Sequence, residues 1–267
     1  MNINSTQNSK LKTQNLTDYH CHILPGIDDG AATMDEAVEM AKALRQAGYA
    51  TVYCTPHLIK GNFEADNATV RTALDSLQAE LVRQQIDLRL LPGREYYLDE
   101  FLSDYLRDPM PLGETKYLLI EIPSHMPAEF VKETCYRIKC AGYIPMIAHP
   151  ERCRLFQLPL PSRKGLRAFF DFGGKAEGRK SGPEKQSLLD YLKDLGCSFQ
   201  GNLGSFAGWY GQAVRQEAER LRGEGLYSHY GSDLHSIRQK DILIDEWSGC
   251  PLAQTEESMP LFSRRGR

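Results

Sequence analysis

No apolar run in the sequence approaches the ~18–20 residues that a helix needs to span a bilayer, so insertion as a transmembrane helix is excluded. A basic excess is also missing: 32 Lys and Arg stand against 35 Asp and Glu, a formal net charge of −3. Nucleic-acid phosphate is therefore not the expected partner. Cysteine is sparse and scattered, with seven residues (Cys21, Cys54, Cys135, Cys140, Cys153, Cys197 and Cys250) and no Cys-x-x-Cys pair. That excludes a zinc ribbon or a disulfide framework and suits a reducing, cytoplasmic compartment. None of these cysteines has an arginine six positions on, so a thiolate cradled with its phosphate by arginine is excluded. There is no Gly-x-Ser-x-Gly elbow, and Gly173-Gly174-Lys175-Ala176 lacks the spacing and hydroxyl of a nucleotide P-loop.

What is present suits an ordinary globule: 267 residues, 41% hydrophobic and 25% charged. One α/β barrel commonly takes about 200–250 residues. Met1–Leu16 is polar, without the apolar core of a signal peptide, and reads as a loose tail. Short β-rich runs follow at Asp18–His22, Thr51–Thr55, Leu88–Leu91, Tyr117–Ile122, Ile144–Ala148, Ser198–Asn202 and Tyr227–Tyr230. Amphipathic stretches lie between them at Met34–Ala47, Ala65–Gln85, Ala128–Ala141, Glu184–Leu195 and Gly211–Arg222. Thr33 with Glu36 has the spacing of a capping box, and Gly48 follows its helix as a C′ glycine. Repeated strand–helix alternation predicts a parallel sheet, and seven units predict a barrel rather than an open sheet. Pro159–Pro183 breaks the pattern with Gly, Pro, Lys and Arg around Phe169, Phe170 and Phe172. It reads as a surface excursion, a solvated loop in preference to a lid. A further short helix is predicted near Ile237–Glu246. The organisation is thus a tail (1–16), one barrel domain (17–249) and a C-terminal tail (250–267).

The chemistry lies in where histidines and acids fall relative to the strands. His20 and His22 end the first run, and strand alternation places them on one face. Asp28-Asp29-Gly30 follows in the next loop. Thr55-Pro56-His57 ends the second run, Gly93-Arg94-Glu95 follows the third, and Glu121 closes the fourth. His149-Pro150-Glu151-Arg152 closes the fifth, and Ser232-Asp233-Leu234-His235 the last. Singly, each pattern has a plain reading: a turn, a strand exit, a helix cap, a surface pair. Jointly they sit at successive C-terminal strand ends, which a parallel barrel brings to one rim. So many imidazoles and carboxylates are not tolerated together without compensation, and divalent metals supply it. His125 and His229 lie outside the pattern and are read as ordinary structural histidines.

This series, His20-x-His22, Asp28-Asp29-Gly30, Thr55-Pro56-His57, Gly93-x-Glu95, Glu121, His149-Pro-Glu-Arg152 and Ser232-Asp233-x-His235, resembles the polymerase and histidinol phosphatase (PHP) superfamily. HCHILPGIDDG with TPH, IEIP and AHPER resembles its bacterial capsule and exopolysaccharide tyrosine phosphatases. The resemblance implies a distorted (β/α)7 TIM-like barrel with three divalent metals, usually manganese, sometimes iron or zinc. It assigns His20, His22, Glu95 and Asp233 to one ion. Glu95 bridges to a second ion, also held by Glu121 and His149. Asp29, His57 and His235 hold the third. The implied substrate is phosphotyrosine on the tail of a bacterial tyrosine kinase of polysaccharide export.

The expected reaction is phosphomonoester hydrolysis by a metal-activated water. Arg152 is the first choice for a phosphate clamp, Arg238 the second, with Arg94 a further option. The rival readings are a phosphoesterase acting on a small molecule such as histidinol phosphate, and a kinase-binding regulator with little catalysis.

Overall fold

The strand segments of the computed structural model, which describes residues 15–157 and 186–243, pair in parallel and in chain order. β1 (Leu16–Cys21) pairs with β2 (Tyr49–Cys54), and β2 with β4 (Arg89–Pro92). β3 (His57–Leu58) pairs with β5 (Glu95–Tyr97), and β5 with β6 (Tyr117–Glu121). From β6 the ladder runs through β7 (Ile144–Ala148) and β8 (Ser198–Asn202) to β9 (His229–Gly231). Only Thr55-Pro56 separates β2 from β3, and only Gly93-Arg94 separates β4 from β5. Each of these pairs is one stave with a break, where Pro56 has no N–H to donate to a ladder. The ring closes where Cys21 bridges Leu234 in parallel, supported by Asp233 N–H to His20 O at 2.7 Å and His22 N–H to Leu234 O at 3.0 Å. The result is a distorted seven-stave parallel barrel, as the strand–helix alternation predicts.

Helices cover the outside: α1 (Met34–Gln46), α2 (Asn67–Arg83), α3 (Leu102–Tyr105), α4 (Ala128–Cys140), α5 (Leu188–Asp194), α6 (Leu203–Ala207) and α7 (Gln212–Gly223). α1 buries Ala37, Val38, Met40, Ala41 and Leu44, a stripe at helical spacing. Thr33 caps it by accepting the Glu36 N–H at 3.2 Å, and Gly48 follows at φ 96°. The second half of the predicted capping box is redirected. Glu36 accepts from Ala32 N–H (3.2 Å) and from the Ser236 hydroxyl (3.0 Å), tying the segment after β9 to the start of α1. Two predicted helices start later than their amphipathic patterns, because Asp66 and Ser187 serve as N-caps. The helix expected near Ile237–Glu246 is a 3-10 turn over Ile237–Leu243.

Inside the barrel, Tyr19, Tyr53, Leu112, Leu119, Met146 and Ala148 form an apolar layer. Alternation places it beneath the site, since Leu119 precedes Glu121 by two positions. Tyr19 joins it although it neighbours His20, because the β1–β2 pairing is irregular between Asp18 and Cys21. His229 takes the structural role read from the sequence: it is buried edge-on to Tyr19 and Tyr117, with Nδ1 on the Ser228 hydroxyl at 3.0 Å. Residues 1–14 of the predicted tail, the Pro159–Pro183 excursion, Cys250 and the 250–267 tail lie outside the described residues. No helix of the described residues is long and apolar enough to cross a membrane.

Candidate metal centre

Four donor atoms converge at the mouth of the barrel. His20 Nε2 lies 3.0 Å from His22 Nε2, 3.2 Å from Glu95 Oε2 and 3.3 Å from Asp233 Oδ1. His22 Nε2 is 3.4 Å from each of those oxygens. Ligands bound at about 2.0–2.2 Å around one ion stand roughly 3–3.4 Å from one another, so the spacing matches an ion's coordination shell.

The outer hydrogen bonds set the tautomers. Gln200 Oε1 can only accept, so His20 donates from Nδ1 (3.0 Å). Asp28 Oδ2 accepts from His22 Nδ1 at 2.7 Å. Both lone pairs are thereby turned inward on Nε2, the arrangement that metal-bound histidines take from their outer partners. Glu95 Oε2 is fully buried without a hydrogen-bond partner, although His57 Nδ1 is 2.9 Å away and is itself unpartnered. An unsatisfied carboxylate oxygen among three imidazoles is costly unless a cation lies between them. The donor set therefore fits divalent metal.

Two further groups adjoin the first. His57, Glu95 and Glu121 offer donor atoms within 4.8 Å of one another, and so do His22, Asp29, His57 and His235. His149 reaches Glu95 from its other oxygen, with Nε2 to Oε1 at 3.0 Å. His235 donates Nδ1–H to Asp233 O (2.9 Å) and turns Nε2 toward Asp29 Oδ1, 3.5 Å away. All nine residues expected as ligands are thus brought together. The grouping differs from the expectation in that His57 takes the place of His149 beside Glu95 and Glu121, His22 adjoins the Asp29 group, and His149, which contacts Glu95 Oε1, falls in none of the three groups.

The charges balance only in part. Burial pulls His20 down, but Glu95 and Asp233 outweigh it and hold the imidazole up at about 9. Burial and the Glu95 carboxylate push Glu121 up to about 7. Burial and the Arg152 charge press His149 down to about 4, so it is neutral, whereas the carboxylates around His20 and His22 favour a proton on those rings that a bound cation would displace. Two ligands also sit on strained backbone: His149 at φ 32° and Asp233 at φ 54°, in the left-handed region that non-glycine residues seldom enter. Glycines make room for the histidines. A Cβ on Gly30 would meet His22 O at 2.0 Å, and one on Gly231 would meet His20 Cβ at 2.4 Å.

Of the three arginines, the structure brings one to the centre. Arg152 donates Nη1–H to Asp233 Oδ2 at 2.6 Å and lies 4.4 Å over the Tyr210 ring. Arg238 is exposed, and no contact among the described residues ties its guanidinium to the cluster; the 3-10 turn that carries it packs on the core through Ile242 and leaves Arg238 on its outer side. Arg94 is fully buried on the opposite face of its stave from Glu95 and donates to Ala65 O at 2.7 Å, so it is no clamp. Ser232 caps no helix: its hydroxyl donates to the buried Asp18 Oδ2 at 2.6 Å and accepts the Leu234 N–H at 3.2 Å.

Supporting residues went unread in the sequence. Asp28 holds His22 and the His57 N–H (2.9 Å), Gln200 holds His20, and Asn202 donates to Asp233 Oδ2 at 2.7 Å. The i, i+2 spacing of Gln200 and Asn202 at a strand end was the available signal. Cys153 lines a cavity beside His149 and Arg152, but burial pushes its thiol up, away from the thiolate form. Cys21 lies between the two histidines but points its thiol away, toward Leu234 O at 3.7 Å, and burial pushes the Cys21 and Cys54 thiols up, away from the thiolate form.

Comparison with known proteins gives the chain its family. Residues 16–159 match the family described as "Capsular polysaccharide synthesis, CpsB/CapC". The tyrosine-protein phosphatase YwqE of Bacillus subtilis (strain 168) is 33% identical over 234 residues, covering 86% of this chain and 82% of that protein. The putative tyrosine-protein phosphatase CapC of Staphylococcus aureus is 25% identical over 233 residues, covering 86% and 81%. A solved structure from work on YwqE of Bacillus subtilis and CpsB of Streptococcus pneumoniae, described as metal-dependent tyrosine phosphatases, superimposes with a TM-score of 0.68 at 32% identity, covering 89% of each chain. Family, extent of match and fold coincide, and the chain belongs to the CpsB/CapC capsular polysaccharide synthesis family.

Proposed function

We propose that this protein is a metal-dependent protein-tyrosine phosphatase, a phosphoric monoester hydrolase that uses no cysteine. The observation that carries it is Glu95 Oε2, fully buried and unpartnered among the nitrogens of His20, His22 and His57. Three divalent ions, manganese first and iron or zinc as substitutes, are the proposed cofactors. His20, His22, Glu95 and Asp233 hold one. Glu95, Glu121 and His149 hold the second, and Asp29, His57 and His235 the third. Such ions supply Lewis-acid charge neutralisation and an acidified water for attack on phosphorus.

The chain's own residues do the rest. Asp28 and Gln200 keep His20 and His22 in the tautomer that presents Nε2. Asn202 and Arg152 hold one oxygen of Asp233, leaving the other for the centre. Arg152, part-exposed and stacked on Tyr210, is the proposed phosphate clamp, its fork suited to two phosphoryl oxygens. A phenolate with pKa near 10 departs without strong acid assistance, so no general acid is assigned. Residues 17–249 act as one domain, in the cytoplasm, and the natural substrate is the phosphotyrosine tail of a bacterial tyrosine kinase of polysaccharide export. The likeness to YwqE and CapC supports this reading. Parallel kcat/KM measurements on a phosphotyrosine peptide and on histidinol phosphate test it. The peptide is expected to be preferred by at least ~10-fold, and equal rates would refute the assignment.

A further inference from the structure

The run His149-Pro150-Glu151-Arg152 supplies a ligand and the proposed clamp, and leaves its glutamate without a part. Glu151 is fully buried, and no basic side chain among the described residues pairs with it. The Asn202 N–H donates to Oε1 at 3.0 Å, and the Tyr227 hydroxyl donates to Oε2 at 3.0 Å. Burying a carboxylate without a cation is costly, and charge-assisted acceptance from these two donors offsets it. The Tyr227 ring reaches this place across a glycine, since a Cβ on Gly201 would meet its Cδ1 at 3.0 Å.

The bond to Asn202 stands where the sheet stops. β7 pairs with β8 as far as Ala148 opposite Gln200, and His149 then leaves the ladder on left-handed backbone. The Asn202 amide, two residues further along β8, is past the end of β7, and Glu151 Oε1 accepts its N–H in place of a ladder carbonyl. Asn202 ends β8 and caps α6. Its Oδ1 accepts the Gly204 N–H at 2.8 Å, and its Nδ2 donates to Asp233 Oδ2 at 2.7 Å. We infer that Glu151 is a positioning residue for the metal centre. Through the Asn202 amide it fixes the end of β8, which keeps Asn202 Nδ2 on one oxygen of Asp233 and the other oxygen, Oδ1, turned toward His20 and His22. The inference rests on the proposed function only in taking Asp233 as a metal ligand.

The test separates reach from charge. Glu151→Asp keeps the charge but draws the carboxylate back by one methylene, whereas Glu151→Gln loses the charge and keeps an oxygen in place for the Asn202 N–H. Mn²⁺ affinity, measured by chelator competition with melting curves as the folding control, is expected to fall by ~3- to 10-fold in Glu151→Asp and to stay within ~2-fold of wild type in Glu151→Gln. In an Asn202→Ala background, Glu151→Asp is expected to cost no further affinity, because the link to Asp233 is already cut. Wild-type affinity in Glu151→Asp, an equal loss in Glu151→Gln, or the same loss with and without Asn202 overturns the inference. Turnover is read separately. A protein with the expected affinities that hydrolyses no phosphotyrosine peptide keeps the role of Glu151 and loses the phosphatase reading, and hydrolysis with an affinity indifferent to Glu151 does the reverse.

Discussion

His20 Nε2 and His22 Nε2 face each other at 3.0 Å, each ring anchored at Nδ1, one by Gln200 and the other by Asp28. Two anchored imidazoles cannot both turn away from the contact, so their lone pairs stay directed at one point. A divalent ion there removes the conflict, and the neighbouring Glu95 and Asp233 oxygens complete its shell.

Removing an anchor therefore tests the site without removing a ligand. Asp28→Asn weakens the acceptor for both His22 Nδ1 and the His57 N–H. Metal affinity is expected to fall by ~10- to 100-fold, measured by chelator competition, with the fold intact by circular dichroism. Affinity unchanged within twofold would show that the ring needs no anchor.

Removing a ligand has a larger consequence. Asp233→Ala takes away a donor and also strands Arg152 and Asn202, which both bond to its other oxygen. Elemental analysis is expected to show loss of metal, and denaturant unfolding a destabilisation of about 1–3 kcal/mol. Wild-type metal content in this variant would place the ion elsewhere.

Arg152→Ala separates substrate binding from metal binding. Metal content is expected to stay near the wild-type value, while kcat/KM on an aryl phosphate falls by ~10- to 1,000-fold. A metal-free Arg152→Ala protein would make the arginine a support for Asp233 and not a clamp.

His229 gives a pH signature away from the metals. Burial presses it down to about 4, against 6.5 in an open chain. Between those values the unfolded chain takes up a proton that the folded protein refuses, so this histidine costs stability as pH falls below 6.5. By pH 5 the loss is about 2 kcal/mol. Urea unfolding of wild type and His229→Gln at pH 7.5 and pH 5 is expected to show the variant spared that loss. A stability difference that does not change between the two pH values would contradict it.

Much of this was legible in the sequence, because a parallel barrel converts strand-end residues into neighbours. His20, His57, Glu121, His149 and Asp233 stood at the ends of recognisable runs, and alternation carried the rest of the argument. The unread parts have physical reasons. β3 and β5 are two and three residues long and carry no period of their own. His149 and Asp233 reach the centre through left-handed backbone that no side-chain pattern announces. Asp28, Gln200 and Asn202 act through hydrogen bonds across the barrel, and a single polar residue does not name its partner. Arg238 follows the Asp233-x-His235 pattern where the resemblance expects an arginine, but the 3-10 turn packs on the core through Ile242 and leaves Arg238 exposed.

The most direct measurement is turnover of a phosphotyrosine peptide through a cycle of chelation, reconstitution and thiol alkylation. Activity is expected to vanish with EDTA, to return with Mn²⁺ and to survive an alkylating agent. Activity that persists in EDTA and is lost on alkylation would contradict the account.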